Sequence, residues 1–309
     1  PADNRQPTTN EAERTTLNAQ RSTFNVQRTT DHGPRTISKV QSPKSEDHAS
    51  RSAFQDVSDL IAHSHQDDSF DDWARQPMLP RRLSRLGPGV AWYDWDGDGW
   101  EDLIVTAGSG GRLAVFANEQ GQKFRRLEGA RPSLTDQGAV LGWPDGKGNR
   151  SLLVAVSNYE VLADHESEIA TFSLTNLGVP QRLRAGKASP GPMAAADIDG
   201  DGDLDLFVGG RFRPGGYPGP VSSALWLNEQ GELRPNRALS EPFQSLGLVS
   251  GAAFADLDGD GDPDLALAVE WGPLRIFLNR AGTFKSWDAP VTLSAERSTL
   301  KQLTGWWTS

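Results

Sequence analysis

The sequence predicts an all-β fold, a β-propeller that is partial in this chain: four blades and the start of a fifth, behind a disordered N-terminal segment. Three observations carry this. An aspartate-rich decapeptide recurs along the chain. Each copy runs into a short apolar strand, and no amphipathic helix of comparable length competes with those strands. The N-terminal stretch has the polar composition of a chain that cannot bury a core.

The decapeptide sets the frame. DWDGDGWEDL begins at Asp94, DIDGDGDLDL at Asp197 and DLDGDGDPDL at Asp256, sharing the form D-x-D-G-D-G-x-x-D-L. Each follows a segment of small or apolar residues (GVAWY, MAAA, GAAFA). The first interval is close to twice the second, so a further copy is expected between Asp94 and Asp197. WPDGKGNRSLLV, from Trp143, fits: it keeps Gly146 and Gly148 but carries Trp143, Lys147 and Ser151 where the others have acids. Blade loops are thus expected to start near 94, 143, 197 and 256.

The strands follow in order: LIVTAGSG (103–110), RLAVFAN (112–118), SLLVAVS (151–157), DLFVGG (205–210), ALWLN (224–228), DLALAVEW (264–271) and LRIFLN (274–279). A second strand in each unit leads into a turn, as VFANEQGQKF, LWLNEQGELR and IFLNRAGTF, with TFSLTNLGVP as the degenerate counterpart. A multi-strand unit of roughly 50–60 residues is the signature of a propeller blade. TGWWTS, at the C-terminal end, resembles the approach strand of a fifth unit.

Residues 1–53 read differently, as a Thr- and Arg-rich linker, with the propeller region over 54–309. A heptapeptide recurs there: RTTLNAQ from Arg14, RSTFNVQ from Arg21, RTTDHGP from Arg28 and RTISKVQ from Arg35. A coiled coil needs apolar residues at alternating gaps of three and four. Leu17 and Ala19, like Phe24 and Val26, stand two apart and then skip five, and Gly33–Pro34 interrupts the third copy. No helical stripe results.

Composition narrows the function. A net charge of −10 makes nucleic acid a poor partner. The absence of cysteine excludes disulfides, CxxC redox chemistry and thiolate zinc sites. No run of 18 apolar residues predicts a membrane span. No export signal is visible, and the chain begins with proline, as a processed product or a fragment does.

The aspartates point to a hard cation. In one tight turn, acids at positions 1, 3, 5 and 9 can converge, and glycines at 4 and 6 let the backbone wrap around them. These are Asp94, Asp96, Asp98 and Asp102; Asp197, Asp199, Asp201 and Asp205; and Asp256, Asp258, Asp260 and Asp264. Position 7 is Trp100, Asp203 or Asp262, a variety that fits a backbone carbonyl ligand. Many oxygen ligands on a flexible loop favour calcium over magnesium. About three calcium ions are expected, and none at the second unit. An EF-hand is excluded because position 12 is Val105, Val208 or Leu267 where a glutamate is required, and the flanks are strands.

These loops and their flanks resemble the FG-GAP/VCBS repeat family, whose architecture is the integrin-α-like β-propeller. Three stretches are similar to a bacterial branch related to cartilage acidic protein: the lead-in FQDVSDLIAHSHQDDSFDDWARQPMLPRRLSRLGPGVAW (54–92), VGGRFRPGGYPGP (208–220) and AVEWGPLRIFLN (268–279). The resemblance implies secreted or cell-surface calcium-binding propellers without catalysis, and it gives the twelve aspartates the role of side-chain ligands. A family ring closes with about seven blades, so four imply truncation.

Other chemistry is weaker. His63 and His65 stand beside Asp67, Asp68, Asp71 and Asp72, but no spacing supplies a third metal ligand, and a packed or exposed pair is the plainer reading. GWPDGKGN (142–149) departs from a phosphate loop in glycine spacing and in lacking Ser or Thr after Lys147. No GxSxG element occurs. The tryptophans are expected to pack between sheets, and RPGGYPGP (213–220) to form an exposed loop of the kind that carries binding function. The function expected is a non-enzymatic scaffold for a protein or glycan ligand, outside the cell, in the periplasm or at the cell surface. The alternative is an extracellular polysaccharide-active enzyme on the same frame.

Overall fold

The computed structural model describes residues 56–287, apart from 145–147 and 162–164. The heptapeptide repeat, Lys147 of the second unit and TGWWTS lie outside the described residues. Among the described residues, sixteen strands make four antiparallel four-stranded sheets, each a meander in which neighbours in sequence are neighbours in space. The first sheet holds β1 (Val90–Tyr93), β2 (Asp102–Val105), β3 (Ala114–Glu119) and β4 (Lys123–Leu127). The second holds β5 (Gln137–Pro144), β6 (Arg150–Val156), β7 (Ser167–Ser173) and β8 (Asn176–Gly186). The third holds β9 (Ser189–Ala196), β10 (Asp205–Phe212), β11 (Ala224–Glu229) and β12 (Glu232–Asn236). The fourth holds β13 (Leu248–Ala255), β14 (Asp264–Glu270), β15 (Arg275–Arg280) and β16 (Thr283–Ser286). These are propeller blades.

The blades follow one another in chain order, with β1 beside β5, β5 beside β9 and β9 beside β13. The innermost strands approach closely. A Cβ on Gly89 would overlap the Gly138 carbonyl, so glycine is required where β1 is entered. The second strand of each blade is its most buried, which explains why these strands read as continuous apolar runs: Asp102–Val105 is buried throughout. The fourth strands are polar and alternating, as in KFRRL and ELRPN, because one face is solvated. For that reason they gave little apolar signal.

Three cores lie between successive blades. Ile104, Val115, Leu152, Val154 and Phe172 pack between blades one and two. Trp143, Leu153, Ile169, Leu206 and Trp226 pack between two and three. Phe207, Leu225, Phe243, Leu265 and Phe277 pack between three and four, with Phe243 edge-on to Phe207 and Phe277. Tryptophan usage differs from the packing expectation. Trp95, Trp143 and Trp226 are buried, whereas Trp73, Trp92, Trp100 and Trp271 are exposed. Along β1, Ala91 and Tyr93 face the second blade, so alternation turns Trp92 to the opposite face, where it meets Phe124.

The lead-in ahead of β1 crosses all four blades. The Asp68 N–H donates to the Ser109 carbonyl of blade one, and Arg75, at the end of helix α1 (Asp72–Arg75), donates to the Tyr159 and Val161 carbonyls of blade two. Gln76 bonds the Tyr217 backbone of blade three, and Arg81 bonds Glu270 of blade four through both carboxylate oxygens at 2.7 Å. Buried Asp72 organises the segment by accepting from the Leu83 and Ser84 N–H groups and from the Ser84 hydroxyl.

Candidate metal centre

The acid loops join the first and second strands of blades one, three and four, all at the same end of the sheets. Each is shaped by its own carboxylates. Asp197 accepts the Gly200 N–H at 2.9 Å and the Gly202 N–H at 3.0 Å. Asp94 does the same with Gly97 and Gly99, and Asp256 with Gly259 and Gly261. These six glycines all have positive φ, from 80° to 97°, where a side chain is strained, which is the physical reason for the D-G-D-G rhythm. At position 5, Asp98, Asp201 and Asp260 each accept from the N–H of position 7: Trp100, Asp203 and Asp262.

Oxygen atoms converge in each loop. Asp94, Asp96 and Asp98 place one carboxylate oxygen apiece within 4.8 Å of one another; so do Asp197, Asp199 and Asp205, and Asp256, Asp258 and Asp260. Asp102, Asp201 and Asp264 lie outside these triads. The Asp262 carboxylate is turned to the Ala281 N–H at 2.8 Å. This donor set, all carboxylate oxygen, is that of a hard cation. The loops also hold positive charge where it is available. Arg150 pairs with Asp94 at 2.5 Å, and Arg280 bridges Asp258, at 2.5 Å, and Asp260.

The acid at position 9 has a second role that spacing did not reveal. Asp102, Asp205 and Asp264 are buried. One oxygen of each accepts the N–H of position 2 of its own loop: Trp95, Ile198 or Leu257. The other accepts the N–H of an asparagine on the third strand: Asn118, Asn228 or Asn279. Asn118 and Asn228 in turn cap the next turn, accepting the Gly121 and Gly231 N–H groups at 2.8 Å, whereas Asn279 donates its side-chain amide to the Ile198 carbonyl. The recurring N-x-x-G of the second half-repeat was the available signal. In blade two, Ser151 stands at this position, and its hydroxyl donates to the carbonyl of Trp143 on the neighbouring first strand.

Burial raises the Asp205 carboxyl to about 6, helped by the charges of Asp199 and Asp201. Asp102 is raised for the same first reason. At Asp94, burial opposes ionisation, but hydrogen bonds from Arg150 and Gly97 outweigh it and hold the carboxyl below its ordinary value.

Position 2 carries the loops into the next blade. Trp95 is wholly buried in the core between blades one and two, and its indole N–H donates to the Arg150 carbonyl. Ile198 is buried between blades three and four, where its carbonyl accepts from the Asn279 side chain at 2.9 Å. Loop order and blade stacking are therefore coupled.

His63 packs edge-on against Phe116, with its ring 6.2 Å from that of His65. Burial lowers its pKa, followed by the charges of Arg126 and His65. Among the described residues, no helix is long and apolar enough to cross a membrane.

Residues 197–267 match the model of the FG-GAP-like repeat. No curated protein matches. Among solved structures, the chain is similar to an Agrocybe aegerita lectin that recognises non-reducing terminal N-acetylglucosamine, at 17% identity and a TM-score of 0.38, over 65% of this chain and 51% of the lectin. The chain thus spans about half the length of that lectin. The matched stretch runs from the acid loop of blade three, through the strands that follow it, to the acid loop of blade four and into β14.

Proposed function

We propose that this protein is an extracellular calcium-stiffened binding scaffold that presents loops to a protein or glycan ligand and performs no catalysis. The observation that carries the reading is the threefold recurrence of one loop geometry with converging carboxylates. Asp94, Asp96 and Asp98, Asp197, Asp199 and Asp205, and Asp256, Asp258 and Asp260 would hold the ions. Asp102, Asp201 and Asp264, and the carbonyls of Trp100, Asp203 and Asp262, would complete the sets. Calcium supplies charge neutralisation, since three or more carboxylates in one turn repel one another. At ten times its dissociation constant, one ion stabilises the fold by about 1.4 kcal/mol.

The end of the blades opposite the acid loops suits ligand contact. It carries the Arg213–Pro220 loop and a cleft of about 590 Å³ lined by Arg131, Ser133, Asn158, His165 and Arg182. Equilibrium dialysis against calcium tests the metal: about three ions per chain are expected, and none would overturn it. Glycan-array and protein-capture binding, with and without chelator, test the scaffold. Calcium-dependent retention is expected, and turnover of a polysaccharide would replace the scaffold reading with an enzyme.

A further inference from the structure

A separate group of acids lies at the opposite end of the sheets from the metal loops. Asp67 belongs to the lead-in, Asp136 to the connection from β4 to β5, and Glu160 to the segment after β6. One carboxylate oxygen from each lies within 4.8 Å of the others. Asp67 sits tightly over blade one, where a Cβ on Gly108 would overlap it. One Asp67 oxygen pairs with Arg85 at 2.7 Å, but among the described residues Asp67 Oδ1 is buried without a partner, and so is Glu160 Oε2. Asp136 accepts the Ser109 N–H at 3.0 Å.

The surrounding charges do not balance this group. From the lead-in, Arg85 faces it, as does the acid Asp72. The Asp72 carboxylate is already engaged by Leu83 and Ser84, and the Arg75 guanidinium by the Tyr159 and Val161 carbonyls. Blade one contributes uncharged Ser109. Blade two contributes Tyr159, whose phenol is pushed up by burial. With all three acids ionised, two buried oxygens have no donor among the described residues and three like charges share one interface, an arrangement that costs free energy. A proton on one acid makes it a donor among otherwise accepting oxygens. Burial, then the neighbouring carboxylates, raises Asp136 to about 6 and Glu160 to about 7.

The geometry points to a proton-operated clasp: Asp67, Asp136 and Glu160 fasten the lead-in over blades one and two when they share protons, and loosen it when all three are ionised. The sign follows from linkage. An acid that binds its proton more tightly in the folded state contributes stability that is full below its unfolded pKa and is lost as pH rises through the folded value. Here that loss begins at about pH 4, the ordinary carboxyl range, and is complete by about pH 8, above the folded values of Asp136 and Glu160.

The test uses the full chain in saturating calcium, so that the metal loops are constant between conditions. The chain has no cysteine, so a spin label on Ser69→Cys, an exposed lead-in position, reports this segment alone. The label should be restricted at about pH 5.5 and freer at about pH 8, and the melting midpoint should fall by roughly 5 °C between them. Adding Asp136→Asn and Glu160→Gln should keep the label restricted at both; if that pair does not fold, Glu160→Gln alone serves. Equal label mobility at both pH values without the acid substitutions, or an unchanged pH response with them, overturns the clasp.

Discussion

Asp205 accepts the backbone N–H of Asn228 at 2.9 Å, across 23 residues of chain, with the oxygen that its own loop leaves free. Asp102 with Asn118 and Asp264 with Asn279 repeat the bond at 2.9 and 2.8 Å. One residue thus ends the acid loop and ties the second strand to the third. The clamp does not require a metal, because both acceptors are already met by backbone donors.

Removing it should therefore destabilise the protein even in chelator. Asp205→Ala leaves the Ile198 and Asn228 N–H groups without their acceptor, at a cost of about 2–4 kcal/mol. Asp205→Asn retains one carbonyl acceptor and should cost less. Urea unfolding of both variants in chelator measures this. Equal stability to the parent would remove the clamp from the account.

The metal is tested elsewhere in the loop. Asp199→Asn with Asp201→Asn should lower the bound calcium count by one and leave the other two loops filled, whereas Asp145→Asn, in the degenerate second unit, should remove none. Elemental analysis after desalting reads the count.

Arg280 competes with any cation at the fourth blade, since its guanidinium spans Asp258 and Asp260. The pair is partly exposed, so its worth is modest. Arg280→Gln should tighten calcium binding there by roughly three- to fivefold. Titration calorimetry in a background carrying Asp96→Asn and Asp199→Asn isolates that loop. Weaker binding would make Arg280 a supporting residue, not a competitor.

Position 2 offers a paired comparison. Ile198 is 1% exposed between blades, and Leu257, its counterpart in the fourth blade, is 43% exposed. Ile198→Ala should cost about 2–5 kcal/mol through the cavity it leaves. Leu257→Ala should stay within about 0.5 kcal/mol. Thermal and urea unfolding in calcium distinguish the two.

What could be read from the residues alone was local. The D-x-D-G-D-G turn spans a few positions, its glycines answer a backbone need within that turn, and the buried second strands announce themselves as apolar runs. The loops, the all-β class and the blade period therefore followed from the chain as written. The polar outer strands, such as Glu232–Asn236, carry half-solvated patterns that resemble loops. Only folding decided that Asp205 meets Asn228, that Arg150 and Arg280 reach the acids of blades one and four, and that the lead-in draws Asp67 toward Asp136 and Glu160. Those partners are far apart in sequence, and sheet stacking, which no local spacing encodes, brings them within hydrogen-bond or Coulombic range.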